Sequence, residues 1–190
     1  EPLSKMNAKV STSNGTMPLK IKGKVLNPTK LDLKIPSAQI KSGILLAALN
    51  TKGESSITEN KITRDHTETM LKSFGADIII KNIDNKKIIK IIGKKELNSK
   101  NIDVPNDLSS SAFFIVSALI NKKSHLKLQN INNNPTRNGL ILALKKMGAN
   151  LILSNERYSN NEKVCDIEVK SSELKGCEFG PEMADLMIDE

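Results

Sequence analysis

Hydrophobic residues change period along this chain, and they do so twice in the same order. From Ser37 to Asn50 ("SAQIKSGILLAALN") apolar side chains occupy most faces of a helical projection, and from Leu108 to Asn121 ("LSSSAFFIVSALIN") the pattern is more apolar still. Helices with so little polar surface are expected to be buried. A second, amphipathic helix follows each. The first is predicted to open at Asp65, with Glu68 three residues on as a capping box, and to close at Gly75 as the residue past the helix end; its counterpart opens at Asn134-Pro135 and closes at Gly148. Alternation then takes over, as "ADIIIKNID" and "KKIIKIIG" joined by a polar Asp-Asn turn, which predicts paired strands. A strand-like end with a branched aliphatic and a proline, Ile35-Pro36 or Val104-Pro105, leads into each apolar helix.

These parallels amount to an internal repeat, strand, apolar helix, strand, amphipathic helix, two strands, or βαβαββ. "KIPSAQIKSGILLAALN" lies over "DVPNDLSSSAFFIVSALIN", and "TRDHTETMLKSFGADIII" over "PTRNGLILALKKMGANLIL", so that Arg64 aligns with Arg137 and Gly75 with Gly148. "MNAKV" echoes "FGADI" and "MGANL", which starts the chain inside one unit and, after two whole units, ends it in a further one. There is no initiator methionine, and a helical pattern is still running at "MADLMIDE". The expectation is a piece of a longer polypeptide with an α/β fold of the α+β type, helices inside and strand pairs outside. The turn-rich stretch "KELNSKNIDVPND" is the expected boundary between two lobes, residues 1–104 and 105–190.

Charge narrows the choice of partner. The formal charge is +8, but only three of the basic residues are Arg (64, 137 and 157), there is no Trp and one Tyr, and Phe113 and Phe114 sit within an apolar run. Scarce bidentate and stacking side chains argue against nucleic acid, while a basic surface favours small anions. No stretch has the length of a membrane span and none resembles a signal peptide, so a cytoplasmic protein is expected. Cys165 and Cys177 lack ligand spacing and read as reduced thiols; His66 and His125 stand apart from acidic or thiol clusters, so no metal is expected, and no nucleotide or dinucleotide motif implies a cofactor.

Candidate chemistry lies at the helix starts. Ser37 can cap the first helix as any serine might, but Gln39 and Lys41 beside it make a polar mouth where first-turn amides offer a seat for phosphate or carboxylate. Arg64 stands just before the Asp65 cap of the next helix. In a compact unit Ser37, Gln39, Lys41 and Arg64 are able to converge on one anion; taken singly, Arg64 is equally a solvated residue or a partner of Asp65 or Glu68.

These same residues, "SAQIKS" and "TRDHTE" followed by "NPTR" and "MIDE", resemble the 3-phosphoshikimate 1-carboxyvinyltransferase (EPSP synthase) family over essentially the whole chain. The resemblance implies two lobes of βαβαββ units with substrates between them. It also implies transfer of the enolpyruvyl group of phosphoenolpyruvate to the 5-hydroxyl of shikimate 3-phosphate. By similarity Ser37, Ala38, Gln39 and Arg64 bind shikimate 3-phosphate, with Gln39 also reaching towards phosphoenolpyruvate, and Asp189 is the catalytic aspartate that takes the 5-hydroxyl proton. The partners are small molecules, the full-length protein is a monomer, and no cofactor is implied. The family's other phosphoenolpyruvate-gripping segments do not occur here, so this stretch alone is expected not to turn over. Rival readings are a UDP-N-acetylglucosamine enolpyruvyl transferase and a non-catalytic RNA- or phosphate-binding module of the same fold.

Overall fold

The computed structural model describes residues 1–190, which form two compact units, Glu1–Lys100 and Asn101–Glu190, of mixed α/β structure. No helix is long and apolar enough to cross a membrane.

The first unit begins with a short helix, α1 (Pro2–Lys5), and a two-stranded antiparallel hairpin, β1 (Lys9–Ser13) and β2 (Thr16–Lys22). A complete repeat follows: β3 (Lys30–Leu33), α2 (Ala38–Leu49), β4 (Gly53–Glu59), α3 (His66–Ser73), β5 (Asp77–Ile83) and β6 (Lys86–Gly93). The strands lie in the order β3-β4-β6-β5, with β3 parallel to β4 and the other pairs antiparallel. Asp84 and Asn85, both at positive φ, make the two-residue turn between β5 and β6. Ile44, Leu45 and Ala48 press α2 onto Leu31, Leu33, Ile57, Ile89 and Ile91 of the sheet. The fit is close at the last residue of β6, where a β-carbon on Gly93 would stand 2.1 Å from the carbonyl oxygens of Ala48 and Thr51.

The second unit repeats the plan with α4 (Leu108–Ile120), β7 (His125–Asn132), α5 (Gly139–Lys146), β8 (Asn150–Ser159) and β9 (Glu162–Lys170), in sheet order β7-β9-β8. Its leading strand is reduced to one parallel bridge, Asn106 to Ile131, at the position β3 takes beside β4. Leu108, Ile115, Leu119, Ile141 and Leu144 form its core with Ile131, Ile167 and Val169.

Several expectations need correction. Within each unit taken by itself the apolar helices bury the face turned to the sheet, while Leu46 on α2 and Phe113, Phe114 and Ile120 on α4 are exposed, Phe113 by 78%. A helix lying on a single sheet buries one face only. Helix α5 opens at Gly139 with Asn138 before it, not at Asn134-Pro135, because the Asn134 side chain accepts the Thr136 amide at 2.8 Å and forms a local turn instead. The helical pattern near "MADLMIDE" is a 3₁₀ helix, Pro181–Leu186, that stops short of Asp189. Gly75 and Gly148 do take the left-handed conformation, φ 83° and 90°, just past their helices.

Candidate functional site

Two helix N-termini meet in the first unit. Ser37 is extended (φ −144°, ψ 116°) and its hydroxyl accepts the Ile40 amide at 3.3 Å, so it caps α2 as the sequence suggests. The amides of Ala38 and Gln39 then have no acceptor within the helix. Asp65 occupies the corresponding position at α3 but makes no side-chain cap bond, and Arg64, half-buried, immediately precedes it. The two first turns are bonded to each other: the Ser42 hydroxyl donates to Ala38 O at 2.7 Å and stands 2.6 Å from the Thr67 hydroxyl. With its one proton committed to Ala38, Ser42 accepts from Thr67. Ser37, Ala38 and Gln39 are thus carried on a turn that is stitched to the helix Arg64 introduces.

Lys41 does not join them at the surface. It is wholly buried, on the same helix face as Ile44, Leu45 and Ala48, and its ammonium lies 2.8 Å from Glu68 and 3.2 Å from Glu59. Lys87 from β6 reaches Glu68 at 3.3 Å and comes within 3.9 Å of Asp65. Lys41, Glu59 and Glu68 are each 1% exposed or less and Lys87 6%. Two cations and two anions so enclosed neutralise each other, which is the condition for keeping charge out of water. Glu68 is therefore an inward ion-pair partner, and the capping box with Asp65 does not form. Only the helical spacing of Lys41 with the apolar residues hinted at this burial; its two carboxylate partners come from β4 and α3, and the Lys87 that shares Glu68 comes from β6, with no joint signal in sequence.

The aligned position in the second unit is filled differently. Asp107 caps α4, accepting the Ser110 amide at 2.8 Å, and Arg137 pairs with this carboxylate at 3.0 Å while donating to the Ser109 hydroxyl at 2.7 Å. Burial works to raise the Asp107 carboxyl, but the Ser110 amide and hydroxyl and the Arg137 guanidinium outweigh it and hold the group below the usual aspartate range. A carboxylate of the chain itself thus occupies the anion seat here, where the first unit has a neutral serine. Asp189 lies in this second unit, exposed, with its carboxylate 3.9 Å from Arg137. No group of three or more His, Cys, Asp or Glu side chains is placed to hold a metal ion.

The family model for EPSP synthase (3-phosphoshikimate 1-carboxyvinyltransferase) matches residues 1–187. The chain belongs to the EPSP synthase family. Among relatives in that family, the 3-phosphoshikimate 1-carboxyvinyltransferase of Ruthia magnifica is 50% identical over the whole chain, and that of Brucella abortus 44% identical. The chain spans 43% of the length of each. The EPSP synthase of Acinetobacter baumannii has a structure that superposes with TM-score 0.85 at 45% identity, covering 99% of this chain and 42% of the other. The enolpyruvyl transferase NikO of Streptomyces tendae, at TM-score 0.55 and 14% identity over 90% of this chain and 40% of the other, shares the fold. Membership of the EPSP synthase family agrees with the resemblance carried by "SAQIKS" and "TRDHTE", and the mixed α/β repeat is part of that family's fold.

Proposed function

We propose that this chain supplies the shikimate 3-phosphate-binding part of an enzyme that joins the 5-hydroxyl oxygen of shikimate 3-phosphate to C2 of phosphoenolpyruvate, with release of phosphate. In this reading Ser37, Ala38 and Gln39 take the phosphate of shikimate 3-phosphate on the mouth of α2, and the Arg64 guanidinium adds a charged donor from the mouth of α3. Gln39 also faces phosphoenolpyruvate. Asp189 accepts the 5-hydroxyl proton as that oxygen attacks. The observation that carries the reading is the pairing of two helix N-termini in the first unit with a neutral cap, while the second unit fills the same seat with Asp107. A helix start without its own anion, next to an arginine, is suited to a bound phosphate. The alternative of a nucleic-acid module lacks such support, and the two free cysteines fit a reducing compartment such as the cytoplasm.

Calorimetric titration of the chain with shikimate 3-phosphate tests the anion seat. Arg64→Ala should weaken binding by about 1.5–3 kcal/mol, the range for hydrogen bonds to a charged group, and Lys122→Ala should leave it unchanged. Equal losses in the two variants would mean that only general positive charge matters. Asp189 is tested in the full-length protein, where Asp189→Asn should lower kcat about 10²- to 10⁴-fold with shikimate 3-phosphate binding kept within about tenfold. Near-normal turnover would remove Asp189 from the proton's path.

A further inference from the structure

The buried charge cluster of the first unit does more than fill space, because of what it is attached to. Lys41 sits one helical turn past Ser37, and its amide donates to Ser37 O at 3.1 Å. Its ammonium also donates to the carbonyl of Thr63 at 3.4 Å, the residue immediately before Arg64. The Thr63 hydroxyl in turn donates to Glu59, the same carboxylate that pairs with Lys41. On the far side of Arg64, Asp65 is near Lys87, and Glu68 is shared between Lys41 and Lys87. The residues on both sides of Arg64, Thr63 by its carbonyl and hydroxyl and Asp65 by its carboxylate, are therefore held by the cluster, and that cluster is anchored in the turn carrying Ser37, Ala38 and Gln39.

We propose that Lys41 is a positioning residue for the anion seat: with Glu59, Glu68 and Lys87 it fixes the Thr63–Asp65 segment against the first turn of α2, so that Arg64 is presented to the phosphate held there. This rests on the reading of Ser37, Gln39 and Arg64 as one seat. A buried ion cluster adds little stability over an apolar replacement of the same volume, and its better-attested use is to specify one arrangement of the elements it joins. Here those elements are α2, β4, α3 and β6, and the arrangement they share is the spacing of the two helix mouths. Methionine in place of Lys41 would fill the same volume, but nothing would then hold the Thr63 carbonyl.

The test is a double-mutant cycle between the cluster and Arg64, read by titration of the chain with shikimate 3-phosphate. Lys41→Met together with Glu59→Gln keeps the cluster neutral, so the fold has no unpaired buried charge to expel. This pair should weaken binding about tenfold, and adding Arg64→Ala should then cost less than about threefold, against at least about tenfold in the unaltered chain. Hydrogen exchange should speed up far more at the amides of Thr63–Glu68 than in β5 and β6, where only the small loss of overall stability shows. Thr63→Val, which removes only the hydroxyl link to Glu59, is the milder variant and should give a smaller loss of the same kind should the paired variant not fold. Full cost of Arg64→Ala in the cluster variant, or unchanged exchange at Thr63–Glu68, would overturn the positioning role while leaving the seat intact. No effect of Arg64→Ala in the unaltered chain would instead overturn the seat, and exchange at Thr63–Glu68 would still decide whether the cluster holds the segment.

Discussion

Substituting Lys41 alone by Met should destabilise the first unit by about 3 kcal/mol, the lower end of the range for breaking a buried ion pair. The estimate follows from what is left behind. Methionine is close to lysine in length, so the packing of the side chain against the sheet is largely kept. Lost are the ammonium's ion pairs to Glu68 and Glu59, at 2.8 and 3.2 Å, and its hydrogen bond to Thr63 O. Glu68 retains Lys87 at 3.3 Å and Glu59 retains the Thr63 hydroxyl, so one carboxylate, not two, is left uncompensated. With a urea dependence of about 1–2 kcal/mol per molar for a unit of this size, the midpoint should fall by about 1.5–3 M. Urea titration followed by hydrogen exchange in β4 and β6 reads this unit without interference from the other. Adding Glu59→Gln restores neutrality and should bring the loss back to about 1 kcal/mol. A single variant that loses less than about 1 kcal/mol, or a double variant as unstable as the single, would show that uncompensated charge is not what the cluster guards against.

Two further predictions concern the second unit. Asp107 has its carboxyl held below the ordinary range, so it contributes stability that is complete above the unfolded-state value near 4 and is lost as pH falls through the lower folded value. Its proton titration by NMR should lie below that of a free aspartate, and Asp107→Asn should flatten the acid limb; an ordinary titration would refute the Ser110 and Arg137 contacts. Burial, with Glu156 and Asp166 nearby, pushes the Cys165 thiol up to about 11, whereas Cys177 is half-buried. Iodoacetamide at pH 8 should therefore label Cys177 and spare Cys165, whose thiolate fraction is then about one in a thousand; equal labelling of the native chain would show that Cys165 is reachable.

Local physics made much of this protein legible from its residues. The two periods, the positive-φ residues after α3 and α5, the two-residue turn between β5 and β6 and the Ser37 cap all depend on neighbours within a few positions. The repeat exposed the order of elements because each unit must bury the same helix face on the same kind of sheet. Which face of α4 meets its own sheet was not legible, since its apolar pattern runs nearly all round, and only the packed unit shows Leu108, Ile115 and Leu119 turned to that sheet. Nor was the role of charge. "DHTE" satisfies the rule for a capping box, yet a buried ammonium from another helix competes for Glu68 and wins, because leaving Lys41 without its carboxylates costs more than a surface cap returns. Lys41 read as a surface cation beside Ser37, and nothing in the sequence singled out Asp107. Their opposite fates, one withdrawn into a neutral cluster and the other filling its unit's anion seat, depend on partners from β4, α3, β6 and the segment before α5. Long-range electrostatic pairing of that kind exists only once the chain has folded.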